Sequence, residues 1–327
     1  MSRAILVTGA TGFQGSAVID ALLAQDLPSP FLVLAATRNA RSPAATRLAA
    51  KSPRIKLVEG DMNRTHDLFA AAKSAASAAG ATLWGVYSVQ VFHGKGASLE
   101  GETAQAKAVV DEALAAGVGF FVYGSVERGG DERSWHNPTG VPHFRGKLDA
   151  ERYLRDKTAS PSSSGNNGAS AMKWTILRPV IYWDNLGPDL GSRVFLTMMR
   201  DVLRGKPVQW VAARDIGVAA AAFFRDPETW GGRAVGVASQ VLTHAEMDAA
   251  FREVVGRPLP TTFGFLGRAL RAGLFPGLPA YGRMAEWFRE EGFAADMELN
   301  RGFNPAPMTF GDWLRGSGFV RGRSEVA

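Results

Sequence analysis

The chain opens on a short apolar run, Ala4–Thr8, followed by Ser16–Gln25, whose apolar residues recur at helical spacing. The alternation then repeats. Phe31–Thr37, Ile55–Glu59, Leu83–Val89 and Phe120–Tyr123 read as strands, with Pro43–Lys51, Asp67–Ala79 and Glu102–Ala116 as the helices between them. Strands separated by helices of this length predict right-handed crossovers and an α/β fold built on a doubly wound parallel sheet. Runs such as Ile5-Leu6-Val7 and Phe31-Leu32-Val33-Leu34 are apolar at every position, as expected of strands covered on both faces.

The second half is more varied. Pro142 suits the first turn of a helix running to about Lys157. The stretch 158–170 is rich in Ser, Gly and Asn and predicts a surface loop. Lys173–Leu177 resumes as a sixth strand, Arg193–Arg204 as a helix and Arg233–Ala238 as a strand. Thr243–Val255 reads as a helix whose Thr243 and Glu246 form a capping box. Residues 263–318 mix Phe, Trp and Pro in a helical pattern and predict a smaller mixed C-terminal lobe. The expected organisation is a doubly wound core over 1–157, an insertion loop over 158–172, and final core strands plus the lobe over 173–327.

Composition narrows the classes. The 327 residues include no Cys, which excludes a disulfide framework, Cys-ligated zinc, an iron–sulfur cluster and a cysteine nucleophile. The net charge is +6, but residues 1–163 hold 18 basic and 15 acidic side chains and residues 164–327 hold 19 and 16, so each half carries +3. No basic block stands out, which argues against direct nucleic-acid contact. No stretch has the roughly 20 apolar residues of a membrane span and no signal peptide is evident, so a soluble cytoplasmic protein is expected, or a nuclear one if it is regulatory. His66, His93, His136 and His244 are too dispersed to propose a metal.

The chemistry lies in Thr8-Gly9-Ala10-Thr11-Gly12-Phe13-Gln14-Gly15, placed between the first strand and the first helix. Gly9 permits a tight turn, Gly12 lets backbone approach a pyrophosphate, and Gly15 lets helix pack closely on strand. The helix N-terminus offers N–H groups to phosphate. Where an NAD enzyme commonly places an acid for the ribose diol, this chain has Thr37-Arg38-Asn39. Arg38 can bind a 2′-phosphate with its planar fork, with Arg41 and Arg47 nearby, and so points to NADP(H). Asp61 is a candidate for the adenine amino group or a plain turn residue, and Met62 a candidate to pack on the ring. Ser88 either faces the cofactor or is a buried strand serine.

These segments resemble the NmrA-like family, atypical members of the short-chain dehydrogenase/reductase superfamily. The resemblance rests on Thr8–Gly15, Thr37-Arg38-Asn39, Gly60-Asp61, Val122–Glu127, His143-Phe144-Arg145-Gly146-Lys147, Tyr182–Leu186, Asp215–Gly217 and Thr309–Leu314. It implies a Rossmann-type fold and an NADP-type cofactor. The superfamily's usual catalyst is a Tyr four residues before a Lys, with a Ser on the preceding strand. Lys147 and Ser125 match; His143 stands at the Tyr position. Residues i and i+4 share a helix face, and His can do acid work near neutral pH, so His143 is either a proton donor or a helix-start histidine. Tyr182 and Trp183 are candidates for the substrate cleft or for the core. Trp183, Phe263, Phe265 and Phe275 are candidates to cap an apolar pocket. Two functions stay open: an NADPH-dependent reductase of a small planar electrophile (quinone, enone, imine or activated carbonyl), or a non-catalytic NADP(H) sensor binding a regulatory protein partner. The sequence leaves the oligomeric state open.

Overall fold

The computed structural model describes residues 2–90, 98–159, 172–271 and 280–321. In chain order the elements are β1 (Ser2–Val7), α1 (Phe13–Ala24), β2 (Leu32–Thr37), α2 (Pro43–Ala49), β3 (Ile55–Glu59), α3 (Thr65–Ala78), β4 (Ala81–Ser88), α4 (Leu99–Ala115) and β5 (Phe120–Gly124). They continue with α5 (Asp131–Ser134), α6 (Pro142–Ala159), β6 (Lys173–Pro179), β7 (Ile181–Tyr182), α7 (Leu190–Leu203), β8 (Val208–Val211), α8 (Ala213–Arg225), α9 (Pro227–Trp230), β9 (Arg233–Val237) and β10 (Gln240–Leu242). The last helices are α10 (His244–Val255), α11 (Gly264–Arg271), α12 (Ala280–Glu290), α13 (Met297–Phe303), α14 (Phe310–Gly316) and α15 (Gly318–Arg321). No helix among the described residues is long and apolar enough to cross a membrane.

Contacts divide the chain into two compact units, one of Met1–Val126, Gly146–Arg178 and Ile216–Val235, the other of Glu127–Arg145, Pro179–Asp215 and Gly236–Ala327. The division therefore does not follow the contiguous boundary expected near 157–173. Each unit collects segments distant in sequence, because a sheet is assembled by pairing rather than by chain order.

The large sheet lies mainly in the first unit, and its strand order is β3-β2-β1-β4-β5-β6-β9. Its β1–β2, β1–β4, β2–β3, β4–β5 and β5–β6 pairings are all parallel. The order reverses between β1 and β4, the switch point outside which such sheets bind ligands. Helix α1 buries Gly15, Val18, Ile19 and Leu22, the i, i+3, i+4, i+7 stripe of a helix with one covered face. Helix α8, which carries no strong signal in the sequence, crosses α1 at Gly217. A Cβ there would lie 2.3 Å from the Ala17 carbonyl oxygen, so only glycine allows the two backbones to meet.

The second unit holds a small sheet of order β10-β8-β7, antiparallel between β10 and β8 and parallel between β7 and β8. The expected capping box at Thr243 and Glu246 is formed at α10. Helix α6 runs to Ala159, so Thr158 and Ala159 complete its last turn instead of opening a loop, and Met172 is buried ahead of β6. Residues 160–171 of the expected insertion lie outside the described residues, as does Phe275.

Candidate functional site

The glycine loop joins β1 to α1 within the first unit. Thr8 locks the strand end: its backbone N–H donates to the Tyr87 carbonyl at 3.0 Å and its Oγ1 donates to the Val89 carbonyl at 3.0 Å. Gly9 follows at φ +58°, in the left-handed region. A Cβ on Gly15 would stand 2.2 Å from the Gly9 carbonyl oxygen and 2.8 Å from Ala10 Cα, so α1 starts hard against the turn. Thr11, Gly12 and Phe13 are exposed, Gly12 caps α1 without a side-chain hydrogen bond, and the first turn of α1 contains no acid. The helix end thus presents open backbone and its positive pole, which fits a pyrophosphate.

Two neighbouring groups complete this edge. Tyr87 is fully buried on β4 and donates from its hydroxyl to Gln14 Oε1 at 2.8 Å, fixing the loop from below. Burial pushes the Tyr87 phenol up, so it stays a donor. Arg38, just past β2, is exposed and takes no hydrogen bond or ion pair among the described residues. Its turn is held by Asn39, whose Oδ1 accepts from the Arg41 N–H at 2.8 Å, and by Glu59, whose Oε2 accepts from the Ala40 N–H at 2.8 Å. Glu59, the acid at the end of β3, is turned to the backbone.

The remaining candidates fall out differently. Asp61 caps a short 3-10 turn, its Oδ1 accepting from the Asn63 N–H at 2.9 Å. Met62 and Ser88 share one partner: Gln90 Nε2 donates to Ser88 Oγ at 2.8 Å and lies 4.0 Å from Met62 Sδ. Ser88 is fully buried. Ser125 is also buried and donates to Glu151, whose carboxylate is paired with Arg178 through both oxygens, Nε–Oε1 at 3.1 Å and Nη2–Oε2 at 2.7 Å. Lys147 Nζ is 2.9 Å from Glu102 Oε1, donates to the Gly124 carbonyl at 3.1 Å, and lies 5.3 Å from the Tyr123 ring centroid. Glu102, Glu151 and Arg178 were not legible as site neighbours. An acid in a helix's first turn, where Glu102 sits, is ordinary because it suits the helix dipole.

In the second unit, His143 is half-buried near the start of α6, its ring edge-on to Phe144 with centroids 4.6 Å apart. Tyr182 is half-buried at the end of β7. Trp183 is fully buried against Phe310 and Trp313, at 5.5 and 6.5 Å, so it serves the aromatic core and does not wall an open cleft. Phe263 and Phe265 stack at 5.8 Å and are 72% and 58% exposed.

The NmrA-like family model matches residues 1–306. The chain belongs to the NmrA-like family. It is 27% identical over 268 residues to an NmrA-like family domain-containing oxidoreductase of Aspergillus hancockii, covering 78% of this chain and 73% of that one. Solved structures share the fold. They include NmrA, a negative transcriptional regulator, in complex with NAD (TM-score 0.69, 19% identity, 100% of this chain and 98% of that chain). A second is an NADPH-dependent quinone oxidoreductase of Escherichia coli complexed with NADPH (TM-score 0.66, 19%, 96% and 99%). A third is the Citrobacter sp. triphenylmethane reductase complexed with NADP(H) (TM-score 0.67, 16%, 97% and 99%). Reductases and a regulator thus share this fold.

Proposed function

We propose that this protein binds NADP(H) on the Thr8–Gly15 loop and passes hydride to a small planar electrophile such as a quinone, enone, imine or activated carbonyl. The nucleotide, when bound, supplies the hydride; the chain supplies binding and orientation. Backbone N–H groups at the start of α1 take the pyrophosphate, Arg38 the 2′-phosphate, and Lys147 a ribose hydroxyl. The observation that carries the acceptor class is the bond from Ser125 to the buried Glu151. With Ser125 committed to a carboxylate and His143, not Tyr, four residues before Lys147, the hydroxyl pair that protonates a simple carbonyl is absent among the described residues. Acceptors whose reduced oxygen charge is delocalised need no such acid, and solvent can complete the reduction.

The test is NADPH oxidation, followed by absorbance, against quinones, enones, imines and aldehydes. Quinones are expected to turn over and simple aldehydes to be poor. His143→Ala is expected to leave quinone turnover within a few-fold of the parent. A fall of roughly 10²–10⁴ at unchanged NADPH affinity would make His143 the proton donor instead. Tight nucleotide binding with no acceptor reduced would overturn the reductase and support a sensor acting through a protein partner.

Cofactor choice has its own test. Arg38→Ala removes a charge-assisted contact worth roughly 1.5–3 kcal/mol, or about ten- to a hundredfold in NADPH affinity. NADH affinity is expected to stay near the parent value by calorimetry. Equal losses for both would assign Arg38 to the turn and not to the 2′-phosphate.

A further inference from the structure

The pairing of Lys147 with Glu102 has a consequence for the bound nucleotide. Both side chains are almost fully buried, Glu102 at 4% and Lys147 at 11% exposure. The ammonium has three N–H donors, of which one faces Glu102 Oε1 and another the Gly124 carbonyl. Gly124 ends β5 and abuts the nucleotide loop: a Cβ there would stand 2.9 Å from Gln14 Oε1 and 3.3 Å from the Tyr87 hydroxyl. The ion pair is therefore one residue removed from the loop.

The direction of the dinucleotide follows from the strand order. With pyrophosphate at the β1–α1 turn and the adenosine half toward Arg38 at the end of β2, the nicotinamide half lies on the other side of the switch point, toward β4 and β5. That is the side of Gly124 and Lys147. The oxidised nicotinamide ring carries a positive charge and the reduced ring none, while the phosphates are common to both. A lone ammonium here would disfavour the oxidised form selectively.

We propose that Glu102 is a positioning residue of the nucleotide site: it holds Lys147 and cancels its charge, and so sets the relative affinity for oxidised and reduced nucleotide. The inference rests on the nucleotide-binding reading above. Its substrate is the redox state of the cofactor, so it applies to a reductase and to a sensor alike.

The experiment is calorimetric titration of the full chain with NADP⁺ and with NADPH, read as the ratio of the two dissociation constants. Glu102→Gln is expected to raise the NADP⁺-to-NADPH ratio about tenfold, or about 1.4 kcal/mol, because the ammonium charge is no longer cancelled by its partner. Glu102→Asp, which keeps the charge, is expected to hold the parent ratio. The double variant Glu102→Gln with Lys147→Met removes both charges and is expected to return the ratio toward the parent even if both affinities fall. Should Glu102→Gln not fold, Glu102→Ala, which leaves room for water at the ammonium, repeats the charge removal. An unchanged ratio, or equal losses for the two forms, would overturn the inference and leave Glu102 a purely structural partner. A parent chain that binds neither form would overturn the nucleotide reading itself, and the inference with it.

Discussion

Arg178→Met is expected to cost about 3–5 kcal/mol of stability, the usual penalty for removing one partner of a buried ion pair. Arg178 and Glu151 are both fully buried on β6 and α6, and the guanidinium grips the carboxylate through two nitrogens at 3.1 and 2.7 Å. The substitution leaves a carboxylate in the interior of the first unit without its cation. Urea denaturation checks the loss. The double variant Arg178→Met with Glu151→Met, which removes both charges, is expected to recover much of it, since an apolar pair of similar volume is often as stable as the ion pair. A single variant as stable as the parent would show that the pair adds nothing to the fold. Ser125 donates to this carboxylate, so Ser125→Ala is expected to change turnover far less than substitution of a reaction-centre serine would.

Gly15→Ala is expected to weaken nucleotide binding by more than about a hundredfold, about 2.7 kcal/mol or more. The added Cβ would lie 2.2 Å from the Gly9 carbonyl oxygen, 2.6 Å from the Gly9 carbonyl carbon and 2.8 Å from Ala10 Cα. All three are backbone, so relief requires α1 to move away from the turn, carrying its N–H groups away from the pyrophosphate. Calorimetry with NADPH measures the loss, and circular dichroism establishes that the fold persists. Affinity within a few-fold of the parent would mean that phosphate is not bound by this turn.

Much of this is legible in the sequence. Continuous apolar runs identify strands covered on both faces, and Gly9, Gly12 and Gly15 identify a turn where backbone must do the binding. Arg38 was legible because an arginine at the end of β2 is a departure from the acid commonly found there. The carboxylates were not. Glu102 and Glu151 look like ordinary polar positions on helical segments, and nothing local distinguishes them from solvated acids. Their partners, Lys147 and Arg178, lie 45 and 27 residues away and meet them only through packing. Tyr87 was hidden for a similar reason, since a tyrosine in a strand is ordinary until its hydroxyl is seen under Gln14.

By itself the sequence determined the alternation of strands and helices, the position of the glycine turn and the positive charge beside it, because each depends on residues within a few positions of one another. The tertiary structure alone decided what the buried charges do. It turned Ser125 onto Glu151, set Glu102 against Lys147, sank Trp183 into the aromatic core and divided the chain into two units made of separate segments. The physical reason is that burial and pairing are set by which distant segments are brought together, and a buried charge is tolerated only where such a segment delivers its counter-charge.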